Sequence, residues 1–99
     1  MILGTVTKQP AESFKRFIDF ARRLQTTESV TGVTVTSKNQ VTGADTTTAI
    51  ISAPAINGTK GEARLSAGVT GDSHVVQIRV TTSLGNTLED ELLLLIREE

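Results

Sequence analysis

Few residues of this chain could do chemistry, and His74 comes first because it is the only histidine among 99 residues. An imidazole titrates near neutral pH and can serve as a general base. Asp72 and Ser73 precede it, but neighbouring residues of a strand point to opposite faces, so Ser73 is badly placed to be its nucleophile. We therefore expect a structural role for His74, packed at the start of a strand and hydrogen-bonded to an upstream backbone group.

The acidic run Glu89, Asp90 and Glu91 is the next candidate, as a cation site. Calcium sites need several oxygens that converge from one loop, whereas a strand sends successive side chains to alternate faces. The run is therefore interpreted as a solvated face, and no metal ligand or cofactor is predicted. Asp19 is expected to face away from the core, where it could pair with nearby side chains or with a partner protein. No phosphate-loop, dinucleotide, zinc-protease or EF-hand motif occurs.

Apolar side chains on both faces of the last predicted strand are more informative. Its even positions from 88 to 96 are expected to fill the core, with position 90 as the exception. Leu93 and Leu95 then lie on the other face, and Val75 of the preceding strand joins them. Two explanations stay open: the segment from Ile2 to Val6 covers these side chains, or they contact another subunit or a partner protein.

The composition favours a small all-β protein. A length of 99 residues fits one domain, with residues 1–9 as a lead-in. Sixteen residues are threonine and only three are aromatic, a composition that suits strands better than helices. Without cysteine, the chain can form neither disulfides nor thiolate sites.

Charge and hydropathy exclude several classes of partner. A formal net charge of −1 with dispersed lysines and arginines gives no footprint for nucleic acid. The longest apolar run, Leu92 to Ile96, is far too short to span a bilayer. The first residues lack the basic and apolar regions of a signal peptide. We expect neither a membrane partner nor a small-molecule substrate.

Alternating apolar residues and turn signals predict six or seven short strands. In the segment 12–24 strand and helix compete, and the periodicity by itself favours the helix. At Gly32, a bulge could return Val30 to the core face. Outside the segment 12–24 the predicted strands are 28–37, 46–53, 62–66, 74–80 and 87–97, with turns at 38–45, 54–61, 67–72 and 84–86. Gly71 and Gly85 lie in the last two turns and are expected to have structural roles. Such spacing is typical of an antiparallel β-sandwich.

All three phenylalanines fall between positions 14 and 20. We expect Phe14, Phe17 and Phe20 to supply the bulky part of a small core. Phe20 should contribute most, with Ile18 on the same face.

Several motifs in order resemble a group of small proteins encoded by tailed phages and prophages. The chain has K-x-P-x-E from Lys8, IDFARRL at 18–24, ESVTGVTVTS at 28–37, RLSAGVTGDSH at 64–74 and VTTSLGNTLEDELLLLI at 80–96. Some members of the group are described as virion structural proteins or fibre-tail adaptors. The resemblance runs from Lys8 to Arg97.

The resemblance implies an immunoglobulin-like β-sandwich with a short helical turn near residues 21–25. It favours a strand over a helix for 14–20, where Phe20 holds a position that is often Trp. His74 stands where the group usually has an aromatic residue, generally Tyr. The segment 38–61 is longer than in those proteins, and its topology is left open. The group carries no catalytic motif, so no catalytic residue is implied.

These observations lead to a functional expectation and an alternative. We expect a non-enzymatic phage structural or assembly module that makes protein–protein contacts in the head–tail or fibre–tail region of the virion. Its partners would be other virion proteins or further copies of itself, in the virion or in the host cytoplasm during assembly. The alternative is a free-standing adhesion domain that recognises host-surface carbohydrate or protein, although the chain lacks the Trp and Tyr that usually stack on sugars.

Overall fold

The computed structural model describes residues 2–98, with the backbone alone for Ile2, and seven strands lie within this range. The strands are β1 (Ile2–Lys8), β2 (Phe14–Asp19), β3 (Val30–Asn39), β4 (Ile51–Asn57), β5 (Lys60–Leu65), β6 (Ser73–Thr82) and β7 (Thr87–Ile96). A 3-10 turn spans Ala21–Arg23, and a single helical turn, α1, spans Thr47–Ile50. The predicted strand at 14–20 and the helical turn after it are therefore confirmed.

The strands form two sheets packed face to face. One sheet has the order β1-β7-β6-β3 and the other the order β2-β5-β4. Strands β3, β6 and β7 take the places of C, F and G in an immunoglobulin sandwich, and β2, β5 and β4 those of B, E and D. The predicted immunoglobulin-like β-sandwich is thus confirmed.

The first strand departs from the sequence expectation. Residues 2–8 form a strand that pairs in parallel with β7, so the sandwich is not purely antiparallel and the segment is more than a lead-in. Val6 lies beside Leu94 and Thr5 beside Leu93. Because β1 extends the sheet sideways, it does not cover the outer face on which Leu93 lies.

The core lies between the sheets and follows the predicted alternation. Phe20 is 0% exposed and Ile18 is also buried. The even positions of β7 face inward as expected, with Leu94 and Ile96 buried and Leu88 and Leu92 packed against the core. The other buried apolar side chains are Val35, Ile50, Ala63, Leu65, Val76, Ile78 and Val80.

The predicted bulge at Gly32 is confirmed. The register between β3 and β6 shifts between Val30 and Gly32, and Val30 packs against the core. A side chain at Gly32 would place its Cβ 2.6 Å from Thr81 Oγ1, so the bulge also depends on glycine for space.

The expectation that all three phenylalanines fill the core is wrong for Phe17. Its side chain is 50% exposed, whereas Phe14 is packed against the core. Phe14, Ile18 and Phe20 share one parity along the chain, and Phe17 has the other. It therefore points outward from the three-stranded sheet.

The predicted strand at 46–53 is also wrong in its first half. Residues Thr47–Ile50 form a helical turn, which Asp45 initiates by accepting a 2.9 Å hydrogen bond from the Thr47 backbone N–H. The change from helix to strand turns both Ile50 and Ile51 toward the core. Strand β4 then continues to Asn57, through four of the residues that were expected to form a loop.

Strand β3 has the predicted length of ten residues but begins and ends two residues later than predicted. It ends at Asn39, and a bridge between Lys38 and Asp45 closes the turn that follows. The Asn39 side chain accepts hydrogen bonds from two backbone N–H groups in this turn, which fixes its shape.

Candidate functional site

His74 is a packed residue at the start of β6. It is 3% exposed, and its Nδ1 lies 3.1 Å from the Thr46 hydroxyl, which in turn lies 2.8 Å from the Ser37 hydroxyl. The expected backbone partner is therefore replaced by a side chain. Within residues 2–98 no hydrogen bond joins the imidazole to Asp72 or Ser73, so these residues do not form a nucleophile–base pair.

The surroundings of the second imidazole nitrogen of His74 affect the protonation state of the ring. His74 Nε2 is buried without a hydrogen-bond partner among the described residues. Burial lowers the pKa of His74 below its ordinary value of 6.5, while the charge of Asp72 acts in the opposite direction. A buried ring of this kind stays neutral near pH 7 and stabilises the fold in that form.

We expect the protein to lose stability as the pH falls from about 7 to about 5. Because the folded pKa of His74 is lowered, the unfolded chain binds the proton more readily below about pH 6.5. The slope should be up to about 1.4 kcal/mol per pH unit, and it should vanish below the folded pKa.

Urea unfolding across this range measures the effect, with His74→Gln as the matched variant. The variant should have a flat profile between about pH 7 and about pH 5, because the depressed carboxylate pKa values act only at lower pH. Equal slopes in both proteins would contradict this origin.

The acidic run on β7 does not form a cation site. Asp90 is only 9% exposed and forms an ion pair with Arg23, so the expectation of a solvated face is wrong at this position. Glu89 is exposed and lies 2.9 Å from the Arg79 guanidinium. No group of three or more His, Cys, Asp or Glu residues among those described could hold a metal ion.

Leu93, Leu95 and Val75 come together on the outer face of the four-stranded sheet, and we call them the Leu93 patch. Val75 and Leu93 are directly opposite across β6 and β7, and all three side chains are half-buried. Thr5 and Thr7 of β1 flank the two leucines. An open cavity of about 240 Å³ adjoins the patch; its lining residues include Val75, Thr36, Lys38, Gln77 and Glu91.

Lys8 is the residue that sequence reasoning missed. Its side chain is 0% exposed, and its ammonium donates hydrogen bonds to the carbonyls of Gln9 (2.6 Å), Pro10 (3.1 Å) and Ala67 (2.6 Å). Glu12 accepts a 2.7 Å bond from the Gln9 backbone N–H. The K-x-P-x-E motif therefore closes the β1–β2 connection and ties it to the chain after β5.

Burial lowers the pKa of Lys8 below its ordinary value of 10.5, and the charge of Glu12 acts to raise it. An ammonium has three donors, and here each meets one carbonyl oxygen. The motif was visible in the sequence, but nothing local shows that a lysine in it is buried, since Ala67 is distant along the chain.

A second polar cluster holds the opposite end of the sandwich. Glu28 accepts hydrogen bonds from the Thr82 hydroxyl, from Asn86 Nδ2 at 2.8 Å and from the Gln25 backbone N–H at 2.9 Å. These bonds lower the pKa of Glu28, with the Thr82 bond as the largest cause. The cluster joins the start of β3 to the turn between β6 and β7.

Gly71 and Gly85 lie in turns with positive φ, +97° and +79°. This backbone region favours glycine because a Cβ is strained there. The Gly71 backbone N–H also donates to the carbonyl of Ile96 at 2.9 Å, which holds the end of β7 against the β5–β6 connection.

The described residues thus form an immunoglobulin-like sandwich whose buried polar side chains hold loops, with apolar side chains on an outer sheet face. No helix in the described part of the chain is long and apolar enough to cross a membrane. The family model described as podophage GP4 fiber-tail adaptor protein gp77 matches residues 8–95.

The chain belongs to this family, as the sequence resemblance predicted. The family is one of phage structural proteins, so a phage structural or assembly role follows from membership. A search of the curated proteins finds no match to the chain.

Proposed function

We propose that this chain is a non-enzymatic component of the phage virion that joins other tail proteins by direct contact through the Leu93 patch. The observation that carries the proposal is the cross-strand pair of Val75 and Leu93 on an outer sheet face, with Leu95 beside it. Adjacent apolar side chains on such a face are typical of protein interfaces.

The geometry favours a role in protein–protein contact over a role in catalysis. The one histidine is buried in a neutral hydroxyl network, and Asp90 is held by Arg23. The patch, in contrast, lies on two long central strands, where it is rigidly presented. A rigid sheet face suits the joining of two structural proteins.

We expect Leu93→Lys/Leu95→Lys to reduce incorporation of the protein into tails by at least about tenfold. Two ammonium groups in a contact would have to lose their water without compensation. Incorporation is measured by quantitative immunoblotting of purified particles from a phage whose own copy is deleted and supplied in trans.

Thr34→Lys/Thr48→Lys is the matched control, since both threonines are exposed and neither lines the cavity beside the Leu93 patch. Its particles should contain the protein at the wild-type level. Thermal unfolding of both purified variants checks that the fold is retained. A folded Leu93→Lys/Leu95→Lys protein with normal incorporation would refute the proposed role of the patch.

A further inference from the structure

The outer face of the three-stranded sheet is a second surface with a different chemistry. Phe17 lies at its centre, with Lys15 and Arg64 toward one end and Lys60 toward the other, and we call these four residues the Phe17 face. Lys15 and Arg64 are direct cross-strand neighbours on β2 and β5. The third strand adds Ser52, whose short side chain lies beside Arg64.

The phenylalanine is an unusual surface residue. Its side chain is 50% exposed, and the Lys60 ammonium lies 4.4 Å from the centre of the ring. An ammonium over an aromatic face is weakly attracted to it but leaves the outer part of the ring open. Half-exposed aromatic side chains beside cations are characteristic of the centres of protein interfaces.

Among the described side chains, none of the three cations of this face forms an ion pair. The ion pairs between described side chains are Arg23–Asp90 and Arg79–Glu89, and both lie away from the face. The Arg64 guanidinium donates to the backbone carbonyl of Ser13 at 3.4 Å. Like charges directly opposite across two strands destabilise a sheet. The direct pairing of Lys15 with Arg64 therefore does not stabilise the isolated domain.

Two carboxylates share the face with its three cations, because Glu62 is paired with Phe17 and Asp19 with Lys60 across β2 and β5. Glu62 forms no ion pair with Lys15, Lys60 or Arg64 among the side chains that the structure describes. Asp19 is held by a 2.7 Å bond from the Thr59 hydroxyl and a 2.9 Å bond from the Ala21 backbone N–H. These bonds lower the pKa of Asp19, and the charge of Lys60 contributes least.

The two segments that hold the three-stranded sheet are net basic, whereas the rest of the sequence is net acidic. Residues 9–24 and 51–66, which hold the three-stranded sheet, carry six basic and three acidic side chains. The remaining residues carry four basic and eight acidic ones. A net charge of −1 therefore conceals a basic side of the molecule.

We propose that the Phe17 face binds an acidic surface of another protein, with carboxylates that meet Lys15, Lys60 and Arg64 around an apolar side chain that packs on Phe17. Charge complementarity selects a carboxylate-bearing partner, and the exposed ring requires an apolar group within it. This surface is separate from the Leu93 patch and lies on the other sheet.

The test is a chemical-shift titration of the full-length protein with two acidic peptides of about 20 residues, one of glutamate alone and one with two central leucines. Shifts should concentrate on β2 and β5 around Phe17, and the leucine-containing peptide should bind more tightly. Phe17→Ser should remove this difference between the peptides.

Lys15→Glu separates binding from folding, because it replaces a like-charge pair with an opposite-charge pair. The variant should unfold at a higher temperature than the wild type yet bind the leucine-containing peptide at least about tenfold more weakly. Lys38→Glu, with the same charge change on the other sheet, is the control and should keep most of the affinity.

Three results would overturn the proposal. An equal loss in Lys38→Glu would indicate attraction by net charge alone, and tighter binding of a duplex DNA of similar charge would indicate a nucleic-acid surface. Sedimentation that shows self-association, abolished by Phe17→Ser, would assign the face to a second copy of this chain. None of these results depends on the Leu93 patch.

Discussion

Replacing Phe20 by alanine is expected to lower the free energy of unfolding by roughly 3–5 kcal/mol. The ring is 0% exposed and lies where β2 ends and the 3-10 turn begins. Its removal leaves a cavity between the sheets and takes away the ring beneath the Arg23 guanidinium, 5.3 Å from its centre. Urea or thermal unfolding, analysed as a two-state transition, measures the loss.

Phe17→Ala is the matched control for Phe20→Ala, since it deletes the same atoms from the same segment. Phe17 is half-exposed, so its replacement should cost about 1 kcal/mol or less. Similar losses in the two variants would show that Phe20 is not the centre of the core.

Lys8→Met is expected to lower the free energy of unfolding by roughly 1–3 kcal/mol. Methionine keeps most of the apolar stem of lysine but donates no hydrogen bond, so the carbonyls of Gln9, Pro10 and Ala67 lose their donor. The β1–β2 connection should open locally before the whole domain unfolds. Hydrogen exchange should therefore quicken most at residues 9–13 and 66–71.

Lys15→Met serves as the control for this second prediction, because Lys15 is exposed. It removes one positive charge without removing a buried donor. Wild-type stability and exchange rates in Lys8→Met would mean that water replaces the ammonium without loss.

The sequence predicted best where one face of a strand meets the core. The alternation of apolar and polar residues correctly predicted that Val76, Ile78 and Val80 face inward on β6. Gly32 correctly predicted the bulge that returns Val30 to the core. Strand β1 was not predicted, since residues 1–9 were interpreted as a lead-in, and side-chain alternation could not have given its parallel direction. The helical turn before β4 was missed because it depends on a local bond from Asp45.

The candidate surfaces differ in how much the sequence could reveal. Leu93 and Leu95 stand out along one strand, so the Leu93 patch could be proposed from the sequence. The Phe17 face depends on the register that places Lys15 opposite Arg64, and these residues are far apart along the chain. Lys8 likewise gains its role from Ala67, a contact that no local pattern encodes.

The parallel pairing of β1 with β7 has a mechanical consequence. Both strands run the same way, so β1 begins beside Glu91 and ends beside Ile96. Tension between the start of β1 and the end of β7 therefore draws the strands past each other along their length. All six paired positions share that load, whereas a hairpin pulled from its open end loses its pairs one at a time. The strand pair therefore resists such tension through all of its paired positions at once.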